Sequence, residues 1–494
     1  MGLLDKFKYH VHPPFQTSST STNSSYAQIP TIPLGPSLIP RYRKQRGVNL
    51  GSWFVLERWI TEGPFNDASN AGKCDYDIAS GDNAREVLEA HWDGFMSDED
   101  WEWIVERGFN SVRLPLTRLI AYYHLSKPCP GAMRDTEFEP FARVFEGAWE
   151  RILRAVEDAK RHGLGVLIDL HAAPGAQNPD SHSGTSHGRV KLFSRANLRA
   201  YSLAIQFLAS HFASDPWIVG LELLNEPRND DRLQHLYETT LSSIRAIVGP
   251  EFPIYISDAW DTPWYASWVG RRTDFVVLDH HLYRCVSPQD TSRSMDELTH
   301  DLRHGFSGYF GGVCDTAKGS VVIGEFSATV APTSLPNVPD GEKDRLRREY
   351  VKAQLDLYER CTAGWFFWTY KKGAGWDAGW SSKDAARAEI LPSFPRKSFR
   401  HSNQQKQHEL DSAFNSHRDY WACHGGTPDP ESFRSGFLQG WEDAVIFLEN
   451  GDELGFVGQW SRRRRQEQGR PHDAWEWEHG FKQGIEAAKR ICQI

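Results

Sequence analysis

Eight short apolar runs alternate with amphipathic segments between residues 46 and 371, and this alternation constrains the fold more than any other feature of the chain. Strands that alternate with helices form a parallel sheet, and continuously apolar strands are those covered on both faces. Eight such strands over roughly 340 residues predict closure into an α/β fold, the (β/α)8 or TIM barrel. The runs are "RGVNLG" (46–51), "SVRLPL" (111–116), "GVLIDLHA" (165–172), "VGLELLNE" (219–226), "IYISDAW" (254–260), "FVVLDHHLY" (275–283), "SVVIGEFS" (320–327) and "GWFFWTYK" (364–371).

Segments with helical spacing lie between most of these runs. "DEDWEWIVERG" follows Ser97, which predicts a capped helix start. Longer examples are "FEGAWERILRAVEDAKRHG", "RANLRAYSLAIQFLASHFA", "DRLQHLYETTLSSIRAIVG" and "EKDRLRREYVKAQLDLYERC". A doubly wound open sheet is the competing architecture. It is disfavoured because no glycine-rich phosphate loop follows the first run.

The composition divides the chain into three parts. Residues 1–40 contain "TSSTSTNSS" followed by prolines, a composition that predicts a flexible N-terminal arm. Residues 41–400 contain the predicted barrel. Residues 401–494 predict a small C-terminal helical appendage, because a G-F-x-Q-G unit occurs at 436–440 and again at 480–484. We expect this appendage to cover the outside of the barrel; an interaction module is the alternative. The run "RRRR" (462–465) is interpreted as a solvated loop rather than a nuclear-localisation signal or an anion-binding patch.

Bulk properties narrow the class of protein. The formal net charge of -9 gives no reason to expect a nucleic-acid partner, and no apolar run is long enough to span a membrane. The start "MGLLDKFKYHVHPPF" carries charges where a secretory signal needs an apolar core. Seven dispersed cysteines without a CxxC pair predict reduced thiols. We therefore expect a cytoplasmic protein, with secretion by another route as the alternative, and favour a monomer.

Polar, ionisable and aromatic residues gather where the predicted strands end, which is the face that carries the chemistry in such barrels. They are Glu57, Arg113, His171, Asn225, Glu226, His281, Tyr283, Glu325 and Trp368. Glycoside hydrolysis needs one protonated and one ionised carboxyl on opposite sides of the scissile bond. Glu226 and Glu325, after or at the end of two different strands, are the candidates. The alternative is that both glutamates pair with Arg113 for structural reasons alone.

Two further patterns are weaker. "GTSHG" (184–188) matches a nucleophile elbow, but it follows a polar loop instead of a strand, so no serine nucleophile is predicted. His182 and His187, taken with His171, lack the helical spacing of a zinc site. Their loop is expected to line the sugar site. No metal and no organic cofactor are predicted.

Several motifs taken together resemble glycoside hydrolase family 5, and more narrowly its fungal exo-β-1,3-glucanase (glucan 1,3-β-glucosidase) group. They are "RGVNLGSWFVLERWIT", "NSVRLPL", "DLHAAPGAQN", "LELLNEP", "DHHLY", "VVIGEFS" and "WFFWTYK", within 41–400. The C-terminal appendage resembles that of the intracellular branch. The resemblance implies that Glu226 is the acid/base and Glu325 the nucleophile. It also implies that the sugar subsite is formed by Glu57, Arg113, His171, Asn225, His281, Tyr283 and Trp368.

Each implied role has a physical reason. Asn225 can hydrogen-bond the sugar 2-hydroxyl, a contact that strengthens in the transition state. Arg113 and Tyr283 can hold Glu325 ionised. Glu226 must stay protonated until it acts, so we expect its pKa to rise toward about 6–7. Glu57 offers two acceptors to a terminal glucose, and Trp368 offers a stacking face.

Three positions depart from the group's pattern. Where the resemblance leads one to expect a pair of phenylalanines that clamp the next glucose, this chain has Asp180 and Val286, and Trp59 replaces an expected tyrosine. The sequence predicts a retaining hydrolase that releases glucose from the non-reducing end of β-1,3-glucan or its oligosaccharides. A β-glucosidase on a small or lipid (steryl-type) β-glucoside is the alternative, as is a transglycosylating variant. A non-catalytic carbohydrate-binding barrel is the alternative from another class.

Overall fold

A parallel eight-stranded barrel forms the centre of the molecule. The computed structural model describes residues 36–117, 136–336, 338–373, 375–395, 399–400, 402–425, 428–469 and 474–492. Each strand pairs in parallel with the next along the chain, and the last pairs with the first. The strands are β1 (Gln45–Asn49), β2 (Ser111–Thr117), β3 (Gly165–Ala172), β4 (Ile218–Glu222), β5 (Ile254–Ser257), β6 (Val276–Leu282), β7 (Val321–Phe326) and β8 (Gly364–Phe367). The predicted (β/α)8 barrel is confirmed, and an open sheet is excluded.

Helices surround the barrel and follow its strands. Before and between the strands lie α1 (Ile39–Tyr42), α2 (Gly63–Asp67), α3 (Asp75–Ala79), α4 (Ala84–Gly94), α5 (Asp98–Glu106), α6 (Ala148–Arg161), α7 (Arg195–Phe212), α8 (Leu233–Val248), α9 (Thr262–Gly270), α10 (Pro288–Thr291), α11 (Met295–Arg303), α12 (Gly305–Thr316) and α13 (Asp340–Cys361). After β8 come α14 (Ser382–Arg387), α15 (Asn403–His424), α16 (Pro430–Glu449), α17 (Val457–Glu467) and α18 (Trp475–Cys492). Ser97 and Asp100 form a capping box at the start of α5, as the sequence predicts.

Three strands end three or four residues earlier than the sequence predicts, and one of them is β5, which ends at Ser257 instead of Trp260. β4 ends at Glu222, and Glu226 lies beyond it with a φ of 39°, a conformation that a strand does not contain. β8 ends at Phe367, so Trp368 follows the strand instead of lying within it. The chain turns there, because the amide of Thr369 bonds the carbonyl of Trp380. Both side chains are thereby carried onto the carboxyl-terminal rim.

The C-terminal helices cover the amino-terminal mouth of the barrel. A second apolar core, separate from the one between the sheet and its surrounding helices, joins strand residues to helix residues. Its strand members are Leu167, Val219, Tyr255, Val277, Val322 and Phe366, and its largest members from the C-terminal helices are Phe437, Trp441, Phe447, Trp460, Trp477 and Phe481. Arg43, just before β1, bonds Asp452 at 3.0 Å. Covering this mouth leaves the opposite rim free.

Only the end of the predicted N-terminal arm falls within the described residues, and residues 1–35 lie outside them. Pro36–Leu38 form a 3-10 turn that leads into α1. Leu38 and Ile39 are buried in the second core. This end of the predicted arm is therefore part of the packed body.

The two G-F-x-Q-G units contact each other. Gly436 and Gly440 of α16 face Gly480 and Gly484 of α18, and the two helices pack backbone against backbone. A Cβ placed on Gly440 would lie 2.0 Å from the carbonyl oxygen of Phe481, and one on Gly484 would lie 2.1 Å from that of Phe437. The repeated glycines are therefore needed for this close approach.

The arginine run 462–465 is not a solvated loop. It lies in α17, where Arg463 pairs with Glu251 at 2.5 Å and Arg464 pairs with Asp443. Arg463 is 4% exposed. The prediction was wrong because these acidic partners are distant in sequence, on a loop before β5 and on α16.

Five of the cysteines are observed as free thiols. They are Cys74, Cys285, Cys314, Cys361 and Cys423, whereas Cys129 lies outside the described residues.

Among the helices that the structure describes, none has the length and apolar character that crossing a bilayer requires. The cytoplasmic location stays a prediction.

Replacing Gly440 by alanine tests the helix contact. Because the added methyl group meets backbone that cannot move aside, we expect the free energy of unfolding to fall by about 1–3 kcal/mol, measured by urea denaturation and tryptophan fluorescence. The matched control is Gly312→Ala in α12, where nothing lies within 4 Å of an added Cβ. That change should raise stability by about 0.5–1 kcal/mol. Equal effects of the two substitutions would contradict the close contact.

Candidate active site

Arg113 of β2 lies fully buried at the centre of the barrel and contacts several predicted site residues. Its Nη1 donates to Glu325 Oε1 and to Asn49 Oδ1, both at 3.0 Å. Its Nη2 donates to Asn225 Oδ1 at 2.8 Å, and its Nε donates to Glu222 Oε2 at 2.9 Å. Burial lowers the pKa of the guanidinium, but the surrounding carboxylates outweigh burial and raise the pKa above its ordinary value. Arg113 therefore stays charged and holds Glu325 and Asn225 in place.

Glu325, at the end of β7, receives a donor on each oxygen. Arg113 donates to Oε1, and the hydroxyl of Tyr283 donates to Oε2 at 2.7 Å. Burial raises the pKa of this carboxyl, and the charges of His281 and Arg113 oppose that rise. Donors on both oxygens favour the ionised form, which a nucleophile requires.

Glu226 faces Glu325 across the rim, with His281 of β6 between them. His281 Nδ1 lies 2.9 Å from Glu226 Oε1 and 3.5 Å from Glu325 Oε2. Burial lowers the pKa of His281, but Glu325 and Asp279 outweigh it and raise the pKa well above the ordinary value. The imidazole is therefore cationic at neutral pH. One oxygen of Glu226, one oxygen of Glu325 and a nitrogen of His281 all lie within 4.8 Å of one another.

His171 and Trp368 form a stacked pair beside these carboxylates. Their ring centroids are 5.5 Å apart and their planes differ by 4°. His171 Nδ1 lies 2.7 Å from Asp169 Oδ2, and its Nε2 lies 3.5 Å from the Asn225 amide. Burial, together with the charge of Arg113, lowers the pKa of His171 well below its ordinary value. His171 is therefore neutral and directs its Nε2 to the rim.

Glu57, in the loop after β1, lines the site. Trp59 Nε1 donates to its Oε2 at 2.9 Å, and its buried Oε1 has no partner among the described residues. Burial raises the pKa of Glu57 to about 8, against the lowering effect of the Trp59 bond. At neutral pH Glu57 is therefore a protonated group that can donate one hydrogen bond, and the expectation of two acceptors applies only to its ionised form.

These residues surround one cavity of about 230 Å³ at the carboxyl-terminal rim. The predicted residues on its wall are Glu57, Trp59, His171, Asn225, Glu226, Tyr283, Glu325 and Trp368, and the departure positions Asp180 and Val286 also border it. Arg113 and His281 lie beneath the wall. The sequence interpretation missed Trp260 and Trp380. Trp260 ends the fifth apolar run and could have been found by the same rule, whereas no sequence signal marks Trp380.

A buried layer under the cavity was also missed. Asn49, Asp169, Glu222 and Asp279 interrupt four of the apolar runs, and all are fully buried. Burial raises the pKa of Asp169 to about 7 and that of Glu222 well above its ordinary value. The sequence signal that could have identified this layer is a polar residue within each otherwise apolar strand.

A (β/α)8 barrel whose carboxyl-terminal rim holds two facing glutamates across a cavity defines the glycoside hydrolase class. The model of the cellulase family, glycosyl hydrolase family 5, matches residues 80–374. A model described as the glucan 1,3-beta-glucosidase 3 C-terminal domain matches residues 402–492. The chain belongs to glycosyl hydrolase family 5, which confirms the family resemblance of the sequence motifs.

Relatives match over most of the chain. The protein called glucan 1,3-beta-glucosidase 3 of Schizosaccharomyces pombe is 30% identical over 89% of this chain and 94% of its own length. An uncharacterized glycosyl hydrolase of Saccharomyces cerevisiae is 27% identical over 98% of both chains. A probable glucan 1,3-beta-glucosidase A of Aspergillus niger is 28% identical over 72% of this chain and 92% of its own. The resemblance to the fungal glucan 1,3-β-glucosidase group is therefore confirmed.

A solved structure supports the fold. The rutinosidase of Aspergillus niger superposes with a TM-score of 0.56 and 18% identity, over 71% of this chain and 98% of the rutinosidase. At this identity the likeness concerns the fold alone.

Replacing Glu57 by glutamine tests the state of the buried carboxyl. Its pKa is 4.5 ordinarily and about 8 in the folded chain. Between these values the folded state holds a proton that the unfolded state has lost, so Glu57 lowers stability as pH rises, by about 1.4 kcal/mol per pH unit. In urea denaturation, the free energy of unfolding of the wild type should therefore fall relative to that of Glu57→Gln between pH 4.5 and about pH 8. Above about pH 8 the difference between the two proteins should stay constant. The exposed control Glu62→Gln should run parallel to the wild type, and a Glu57→Gln curve that also runs parallel would contradict the shift.

Proposed function

We propose that the chain is a retaining hydrolase that releases glucose from the non-reducing end of β-1,3-glucan or its oligosaccharides. The observation that carries this proposal is the short separation, within 4.8 Å, between an oxygen of Glu226 and an oxygen of Glu325. A gap of about 5 Å leaves no room for water between a carboxylate and the sugar, and therefore favours a covalent route.

In the first step Glu325 attacks the anomeric carbon while Glu226 protonates the departing oxygen. The bond from the anomeric carbon to the aglycone breaks, and an ester between the sugar and Glu325 forms. In the second step Glu226, now ionised, takes a proton from water, whose oxygen displaces Glu325. The donors from Arg113 and Tyr283 support Glu325 as the nucleophile because they stabilise it as a leaving carboxylate. Asn225, held by Arg113, is available for the sugar 2-hydroxyl.

The substrate is inferred from the relatives and from the shape of the cavity. Several relatives are called glucan 1,3-beta-glucosidases. The cavity is small, about 230 Å³, and the side chain of Glu57, which is only 4% exposed, lines it. A small cavity favours binding of a terminal sugar over an internal one, and thus supports exo action.

Product analysis on β-1,3-gluco-oligosaccharides tests this proposal. We expect glucose as the first product, released as the β-anomer in the first minutes and followed by NMR, because two displacements at one carbon retain its configuration. Release of the α-anomer first would contradict the mechanism.

Glu325→Gln separates an enzyme from a carbohydrate-binding barrel. This isosteric change should lower kcat at least 10³-fold while sugar binding persists, because only the nucleophile is lost. The exposed control Glu238→Gln on α8 should keep full activity. Full activity of Glu325→Gln would contradict the assignment.

The mouth of the cavity favours a second candidate, a β-glucosidase on a small or lipid β-glucoside. Trp59 is 42% exposed and Val286 is 37% exposed, so two apolar side chains at the mouth face solvent. Apolar surface of this kind binds apolar aglycones.

A substrate comparison separates the two candidates. If the aglycone is apolar, Trp59→Ala should lower kcat/KM for an alkyl or steryl β-glucoside by about 10-fold, the loss expected for one large apolar contact, and leave laminaribiose less affected. Val286→Ala removes a smaller apolar side chain from the same mouth and serves as the matched comparison for Trp59→Ala. If the aglycone is a sugar, the wild type should prefer laminaribiose and its longer homologues, and the alkyl glucoside should be the poorer substrate.

A further inference from the structure

Trp59 contacts the buried carboxyl of Glu57 and also reaches the mouth of the cavity. Its Nε1 donates to Glu57 Oε2 at 2.9 Å, while Glu57 Oε1 is buried and bonds no donor or acceptor of the described chain. Both residues line the cavity, yet Glu57 is 4% exposed and Trp59 is 42% exposed. One tryptophan therefore holds a buried carboxyl with its N–H and presents its ring to solvent at the mouth.

The backbone of Glu57 is fixed separately from its carboxyl. The Glu57 amide donates to Ser52 Oγ at 3.1 Å, and the Glu57 carbonyl accepts from the amides of Ile60 at 2.9 Å and Thr61 at 3.0 Å. These bonds place the main chain but do not set the side-chain torsions. Among the described contacts, the Trp59 bond is the hydrogen bond that sets the direction of the carboxyl.

The indole of Trp59 is itself held by the loop after β8. Trp380 packs edge-on against it with ring centroids 5.1 Å apart, and Lys372 Nζ lies 5.2 Å from the centroid of the Trp59 ring. Asp377 accepts from Lys372 Nζ at 2.8 Å and from the amide of Trp380 at 3.1 Å. One carboxylate thus fixes both groups that contact Trp59, and the fold sets the direction of the indole N–H.

The direction of the Glu57 carboxyl matters for binding a sugar. Burial raises the pKa of Glu57 to about 8, so the carboxyl is protonated near neutral pH. A protonated carboxyl differs at its two oxygens, since only one of them carries a proton to donate. Its direction therefore decides which sugar hydroxyl it can bond.

We propose that Trp59 is a positioning residue for recognition of the glucose unit, because its N–H aims the Glu57 carboxyl at a particular sugar hydroxyl. This inference rests on the proposed function. A buried polar group without a full set of partners gains free energy when a hydroxyl of the substrate supplies one. Trp59 thus acts on the sugar that is released, and not only on the aglycone at the mouth.

The test combines a variant with substrates that lack one hydroxyl. Trp59→Phe keeps an aromatic ring and removes the N–H, so it should lower kcat/KM for 4-nitrophenyl β-glucoside about 5-fold, the loss expected for one hydrogen bond. The 3-, 4- and 6-deoxy forms of this glucoside are then compared. The loss should vanish for at least one of them, whose missing hydroxyl is the one that Glu57 contacts, and persist for the others.

Two further variants control for the loss of apolar surface. Trp376→Phe is the same change at a tryptophan that is 61% exposed and is not among the described residues that line the cavity, and it should leave kcat/KM unchanged. Val286→Ala removes apolar surface at the mouth, but the valine side chain cannot hydrogen-bond Glu57. Its loss in kcat/KM should therefore be the same for the parent glucoside and for every deoxy form.

A double-mutant cycle provides a second measurement. In a Glu57→Ala background there is no carboxyl to aim, so adding Trp59→Phe should lower kcat/KM by less than about 2-fold further. The deoxy series does not need Glu57→Ala and decides the question if that variant fails to fold. An equal loss in Trp59→Phe for the parent and all three deoxy glucosides would overturn the proposal, as would additive losses in the cycle. A wild type without activity on any β-glucoside would instead overturn the proposed function.

Discussion

The buried guanidinium of Arg113 is the interaction on which the rest of the site depends. It contacts Glu325 of β7, the buried Glu222 of β4 and Asn225, which follows β4, so one cation sets the relative positions of side chains from strands distant in sequence. Breaking a buried pair by removing one partner costs about 3–5 kcal/mol, because the remaining charge is left without compensation. The barrel can bury this arginine only because carboxylates surround it, and the carboxylates stay in place only because of the arginine.

The two ends of the barrel have different tasks. The amino-terminal mouth is closed by an apolar core built from the strands and the C-terminal helices, and the close contact of α16 with α18 holds that cover together. The carboxyl-terminal rim instead holds ionisable groups with shifted pKa values around a cavity. A rigid lower end supports a site in which the distances between carboxylates decide the chemistry.

Much of the fold was predictable because strand and helix periodicities differ and alternate along the chain. Every predicted strand exists, and the main errors concern where β4, β5 and β8 end, since local turns at Glu226, at Ala259 and Trp260, and after Trp368 leave no periodic trace. Most residues predicted to line the sugar site do border the cavity, because strand ends in such a barrel converge. Trp380 and the arginine run of α17 were beyond prediction, since their environments come from segments far away in sequence.

The sequence by itself determined the eight-stranded architecture, the family and the pair of glutamates, because these depend on local patterns and on motifs at strand ends. Only the tertiary structure decided the protonation states of the ionisable side chains at the rim. The pKa of Glu57, about 8, follows from burial, and the cationic state of His281 follows from Glu325 and Asp279 around it. The tertiary structure also places His182 beside Glu226, with the Asn178 amide bonded to both residues. Desolvation and the distances between charges exist only once the barrel has closed, which is why no linear pattern records them.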